Sequence, residues 1–301
     1  MDGVLNVHKP GGPTSHDVVN SIRRIFSIKR VGHAGTLDPM ASGVLVVCLG
    51  KATRIVEYLT STQKEYKAVL TLGITTDTQD STGSLISQCD ASNISVGDVR
   101  RAACEFIGEI EQVPPMISAI KYQGKPLYKH AREGRTIERQ ARLVTIYLIE
   151  VGQKWICGEG TATRDIELTV GCSAGTYIRT LCADIGEALD CGGVMSSLQR
   201  TRVGQFGIDN AVSLEKLQQA GIEGRLLQYL TPMSEALADM PGMEISEIEA
   251  QRIEHGMPIG VDTNIPTGEP IRLTNKGNLL AIGMVAESET GTTIQPRKVF
   301  L

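Results

Sequence analysis

The sequence predicts an α+β fold: a body built on a mixed, largely antiparallel sheet, followed by a small C-terminal β-barrel. Three observations carry this expectation. Apolar segments with strand and helix spacing are interspersed along residues 1–240 without the regular period of βαβ units. The break Met240-Pro241-Gly242 then divides the 301 residues into 1–240 and 241–301, one large domain and one small one. Beyond it, Ile271 and Leu273, then Leu280, Ile282 and Met284, alternate across the turn Asn275-Lys276-Gly277-Asn278, a hairpin pattern that a small barrel completes.

Taken in order, Gly3 to His8 reads as a strand, stopped by Lys9-Pro10-Gly11-Gly12-Pro13. Ser15 is expected to cap a helix whose Val18, Val19, Ile22, Ile25 and Phe26 recur at helical spacing, leaving Arg23, Arg24 and Lys29 to face solvent or phosphate. Val31 to Pro39 is glycine-rich and ends in Asp-Pro, so an exposed loop is expected there, before the apolar strand Val44 to Leu49. Further strands are expected at Tyr66 to Leu72, Leu143 to Val151 and Ile166 to Cys172, and helices at Val96 to Ile107 and Thr176 to Leu189. The second of these helices places Ile178, Leu181, Cys182, Ile185 and Leu189 on one side. The tail opens on a short helix, Ile245 to His255.

Composition narrows the class. Hydrophobic residues at 41% and charged residues at 21% suit a globular enzyme with a full core. No signal peptide is visible, and Val44 to Leu49 is too short to span a bilayer, so a cytoplasmic protein without membrane contact is expected. The seven cysteines, at 48, 89, 104, 157, 172, 182 and 191, contain no CxxC pair, and they read as reduced structural thiols with no metal role. A net charge of -4 argues against nucleic acid until its distribution is read. His8 to Gly35 holds five basic residues against one acidic, and Lys121 to Arg142 holds seven against two. Two basic stretches on an acidic chain suit a phosphate-binding face, although solvated charge is the ordinary reading of such runs.

The stretch that can carry chemistry is Gly32-His33-Ala34-Gly35-Thr36-Leu37-Asp38-Pro39, followed by Met40-Ala41-Ser42-Gly43-Val44-Leu45. Its glycines allow conformations closed to other residues and close approach of a ligand, so the loop can present His33 and Asp38. From the residues alone, Asp38 equally well initiates a turn before Pro39.

This segment closely resembles the nucleophile loop of the TruB-type tRNA pseudouridine-55 synthases. The likeness continues, in the family's order, through Lys9-Pro10-Gly11-Gly12-Pro13-Thr14-Ser15, Lys64-Glu65-Tyr66, Pro114-Pro115-Met116-Ile117-Ser118-Ala119, Gly175-Thr176-Tyr177-Ile178-Arg179 and Leu198-Gln199-Arg200-Thr201-Arg202. It covers most of residues 1 to 210, and the tail is similar to a PUA domain with a weaker signature. Ala34 stands where relatives often have Thr.

The resemblance implies isomerisation of a flipped-out uridine in the tRNA T-loop, with no metal or cofactor, because nothing is lost and no redox change occurs. It implies Asp38 as the catalytic carboxylate, with Arg179 beside it to keep it ionised and lower its pKa. It implies Tyr66 stacked on the base, its hydroxyl available for the C5 proton, with Tyr177 and Leu198 completing the pocket. His33 resembles the wedge that fills the place the uridine leaves. Lys9 and the Lys121 to Arg142 stretch, with Lys125, Lys129 and Arg132, are expected to grip phosphates, with Tyr122 and Tyr128 able to stack on loop bases. The tail is expected to add a separable second grip on tRNA, towards the acceptor stem, and the protein to act as a monomer. Two rivals stand beside this reading: a guide-RNA-dependent relative that shares the Asp loop, and a tRNA-folding chaperone whose catalysis is secondary.

Overall fold

The computed structural model describes residues 1–156, 161–288 and 291–300. Its body is organised by a mixed sheet whose strands lie side by side in the order Gly3–Lys9, Ser42–Leu49, Gly193–Val203, Lys64–Leu72, Arg164–Cys172, Arg142–Val151 and Gly108–Gln112. Val31–His33 pairs beside Ser42–Leu49, and Phe206–Gly207 beside Gly193–Val203. Every pairing in it is antiparallel except that of Gly193–Val203 with Ser42–Leu49, which is parallel at Gln199 with Ser42 and Arg200 with Gly43. That close parallel contact explains Gly43: a Cβ there would lie 2.2 Å from the Arg200 carbonyl oxygen, and its φ of +107° disfavours any other residue.

Apolar residues spaced two apart place both faces of the sheet against helices. Tyr66, Ala68, Leu70 and Leu72 share one core with Val99 of helix Val96–Cys104 and with Ile178, Leu181, Cys182 and Ile185 of helix Ile178–Ala188. Leu5 and Val7 pack on Val18, Val19 and Ile22 of helix Ser15–Ile25. Thr14, not Ser15, caps that helix, through a reciprocal box with Asp17. Ser15 is thereby released for another use: its hydroxyl accepts from the Leu37 N–H at 2.9 Å and donates to the Leu37 carbonyl at 3.0 Å.

The segment 31–39 is not the exposed loop that its glycines suggest. Val31–His33 is a strand paired with Val47 to Leu49, and Ala34 and Leu37 are buried. The strand Gly193–Val203, at the centre of the sheet, has no counterpart in the sequence reading.

The tail has five strands, in the order Gly242–Glu244, Pro270–Asn275, Asn278–Ser288, Gly291–Val299 and Ile259–Gly260, curled as a half-barrel. Its hairpin turns at Lys276 and Gly277, both at positive φ, as a two-residue hairpin turn requires. Ser246 caps its helix Glu247–Glu254. The tail is not packed as a separate unit: Leu279, Ile282 and Phe300 share a core with Val4, Ala34, Val44, Val46 and Ile55 of the body. Arg54 donates to the Val299 carbonyl at 2.5 Å and lies over the Phe300 ring, and Lys298 pairs with Glu57. No helix among the described residues is long and apolar enough to cross a membrane.

Candidate active site

Asp38, Tyr66, Tyr177 with Arg179, and Leu198 come from four distant parts of the chain and line one pocket of ≈ 360 Å³. Asp38 is placed by the clamped 35–41 segment. Ser15 holds Leu37, and Lys9 Nζ donates to the carbonyls of Pro10, Pro39 and Ala41 at 2.9, 3.2 and 2.6 Å. These three bonds correct the sequence expectation for Lys9. The side chain is fully buried, its burial pushes the ammonium down to about 8, and it holds backbone in place of a phosphate.

Arg179 lies on the first turn of helix Ile178–Ala188, whose start is fixed by Gln112: the amide side chain of Gln112 donates to the Tyr177 carbonyl and accepts from the Tyr177 N–H. Its guanidinium, 4% exposed, has Nε 3.0 Å from Asp38 Oδ2 and Nη1 3.5 Å from Asp80 Oδ2. Nη2 donates to the Ile117 carbonyl at 2.9 Å. Asp80 is in turn held by the Thr78 hydroxyl and by the Thr82 N–H and hydroxyl, all donating to Oδ1. The buried guanidinium thus bridges two carboxylates, and its directed donors set the orientation of Asp38.

Arg179 lowers the Asp38 pKa, as expected, yet the carboxyl stands above its ordinary value. Burial dominates and pushes it up; Arg179 pulls it back, Asp80 pushes in the same direction as burial, and Lys9 pulls against it. A carboxylate so placed is less strongly hydrated than one in water and is directed into the pocket, as a nucleophile or proton acceptor requires.

Tyr66, Tyr177 and Leu198 line the pocket with this carboxylate. His33 is half-buried at the end of its strand and does not line the pocket; burial, then the nearby Arg200 charge, favours its neutral form. Sequence reasoning missed Asp80 and Gln112 and gave no role to Lys64 and Arg200, which stand within the quoted motifs. Lys64, which burial pushes down to about 8, donates to the carbonyls of Thr60 and Thr62 at the pocket's edge.

The 121–142 segment runs from a short hairpin to the sheet strand that begins at Arg142. Lys129 and Arg132 are exposed, with Arg132 over the Tyr128 ring, whereas Lys125 is paired with Glu133, which also takes Arg135. Tyr122 is edge-on to the buried His130. Among the described residues no group of three or more His, Cys, Asp or Glu is placed to hold a metal ion. The described cysteines are free thiols, and burial pushes Cys48 and Cys182 up to about 12; Cys157 lies outside the described residues.

The N-terminal model of TruB family pseudouridylate synthases matches residues 23–178, which hold Asp38 and Tyr66, and the tRNA pseudouridylate synthase B C-terminal model matches 179–238. The chain belongs to the TruB family. Among curated members, the tRNA pseudouridine synthase B of Pelotomaculum thermopropionicum is 45% identical over 294 residues, covering 94% of this chain and 90% of that protein. That of Bacillus pumilus is 44% identical over 257 residues, covering 85% and 82%. Among solved structures, a Cbf5-Nop10-Gar1 complex superposes with a TM-score of 0.78 at 32% identity, covering 99% of this chain and 85% of that one. An H/ACA RNP bound to a substrate RNA containing 2′-deoxyuridine follows at 0.76 and 29%, with the same coverage. The mixed sheet and curled tail are therefore the pseudouridine synthase fold with a PUA-like sheet.

Proposed function

We propose that this protein isomerises uridine 55 in the T-loop of tRNA to pseudouridine, acting alone on tRNA in the cytoplasm as a monomer. The observation that carries the reading is the Asp38–Arg179 pair, 3.0 Å apart in a pocket walled by Tyr66, Tyr177 and Leu198, in a chain of this family. The bond from N1 to the ribose C1′ breaks, one from C5 to C1′ forms, and the proton lost from C5 is balanced by one gained at N1. The balance closes without an oxidant, a reductant or a leaving group, so the chemistry requires no cofactor or metal.

Asp38 opens the reaction by attack on C1′, by addition to C6 or by removal of a ribose proton, and all three need it ionised. Arg179 keeps it ionised and aimed. Extracting a stacked base costs about a few kcal/mol, which Tyr66 offsets by stacking while Tyr177 and Leu198 replace the other neighbours. His33 wedges into the vacated place. Lys129, Arg132 and, once released from Glu133, Lys125 take phosphates. Residues 1–240 form the catalytic domain and 241–301 an RNA-binding tail directed at the acceptor stem.

The rival is a particle that needs a guide RNA, suggested by the likeness to the H/ACA structures; identity is higher to the tRNA pseudouridine synthase B proteins, 45% against 32%. Incubation of the purified chain with unmodified tRNA and no other RNA, followed by mapping of pseudouridine at nucleotide resolution, separates them. Modification at position 55 alone supports the stand-alone reading; none in the absence of a second RNA supports the rival.

A further inference from the structure

We propose that Arg200 is a positioning residue for the proton transfer at C5, holding the Tyr66 hydroxyl in the pocket and tying it to the Gly35 end of the Asp38 loop. The inference rests on the reading of Tyr66 as the group that takes the C5 proton. Arg200 is one of the largest fully buried side chains, 1% exposed, and stands opposite Tyr66 in the antiparallel register of the two central strands. Nε donates to the Val44 carbonyl at 2.8 Å and Nη2 to the Gly35 carbonyl at 3.0 Å, and Arg200 and Tyr66, cross-strand neighbours, line the same pocket. The strand has little room to shift, because the Arg200 backbone lies against Gly43, where even a methyl group would collide.

Its charge is the informative feature. Among the described residues no carboxylate lies within 4.0 Å of Arg200, unlike Arg179, which has two. A buried cation satisfied by carbonyls but lacking a counter-charge is unfavourable in the resting protein. It becomes favourable when negative charge forms beside it, and Tyr66, its cross-strand neighbour in the pocket, is a group that can carry one. Burial pushes the Tyr66 hydroxyl up, and Arg200 acts in the opposite direction.

Tyr66, its own proton passed to water, takes the proton from C5. The C5–H electron pair restores the C5–C6 double bond, the C6–N1 pair moves onto N1, and N1 is protonated from water. Arg200 stabilises the phenolate that the step begins with and keeps its oxygen at a constant place relative to Asp38.

The test is a double-mutant cycle on tRNA with protium or deuterium at C5 of the target uridine, followed by single-turnover rates at saturating enzyme. Arg200→Gln is expected to slow the reaction by about 10²-fold and to raise the C5 isotope effect above the wild-type value. Tyr66→Phe/Arg200→Gln should be no slower than Tyr66→Phe. Arg200→Lys, which keeps the charge, should recover part of the rate and serves in its place if the glutamine variant does not fold. An unchanged isotope effect, or losses that multiply in the double variant, would overturn the proposal and leave Arg200 as loop support. A wild-type protein that forms no pseudouridine would instead sink the reading on which the proposal rests.

Discussion

At Asp38, burial pushes the carboxyl above 3.8 and the Arg179 guanidinium restrains it. A raised folded pKa means that the ionised form is lost as pH falls through that higher value, so the acid limb of the single-turnover rate lies above pH 3.8. Arg179→Gln removes the largest restraint and leaves Asp80 facing Asp38; the limb should move to higher pH and the plateau fall by about 10²-fold. A limb that stays in place would take Arg179 out of the ionisation of Asp38. Lys9 gives a second test, because a clamp and a phosphate grip fail differently. Lys9→Met takes the ammonium donor from the Pro10 and Ala41 carbonyls, while Pro39 keeps the Gly12 N–H, so it should cost about 1–3 kcal/mol in thermal or urea unfolding. The slope of log affinity for tRNA against log salt should not change, and a slope that falls would restore the phosphate role. Asp38 and Arg179 were legible because each lies in a continuous motif. Asp80 lies in no motif, and Arg200, although within one, was given no role, because the meaning of both arises from contacts to residues 99 and 165 positions away. Lys9 was misread because a lysine beside a glycine-rich loop has the same sequence signature whether it faces carbonyls or phosphates.

Strands with clean alternation or a continuous apolar run, such as Lys64–Leu72 and Ser42–Leu49, were found within two residues of their ends. Gly193–Val203 was missed because Gln199, Arg200 and Arg202 break its pattern, and the burial of Arg200 becomes visible only when its carbonyl partners are assembled around it. Val31–His33 was read as loop because its glycine signals a turn, whereas here it permits pairing beside Val47 to Leu49. The 121–142 segment carries an element-scale prediction. Lys129 and Arg132 are exposed while Lys125 is held by Glu133, so Lys129→Gln/Arg132→Gln should reduce the salt slope by roughly 1.4–1.8, two phosphate contacts at about 0.7–0.9 each. Adding Lys125→Gln should change it less than either of the first two. Titration of tRNA binding across salt concentrations decides this, and an unchanged slope in the double variant would make the segment a solvated face.

Over the whole molecule, a second sheet after Pro241 was legible from the break there and the hairpin pattern, but the joint core was not, because a sequence does not show which apolar residues meet across a boundary. Leu279, Ile282 and Phe300 bury against Val4, Ala34 and Val44, each large side chain worth about 1.5–3 kcal/mol. Deleting 241–301 should therefore lower the melting temperature of the body. It should also slow single turnover on an isolated T-arm stem-loop, because Ala34, next to His33, loses its packing. Retention of both melting temperature and rate would show that the tail is separable, with its effect confined to KM on full tRNA. The central claim is that Asp38 isomerises uridine 55 in tRNA without a guide, and the direct measurement is single-turnover formation of pseudouridine in unmodified tRNA by the wild type and by Asp38→Asn at saturating enzyme. The account predicts modification at position 55 by the wild type, and none by the variant although it still binds tRNA. Turnover by Asp38→Asn within tenfold of the wild type, or modification elsewhere in the tRNA, would contradict it.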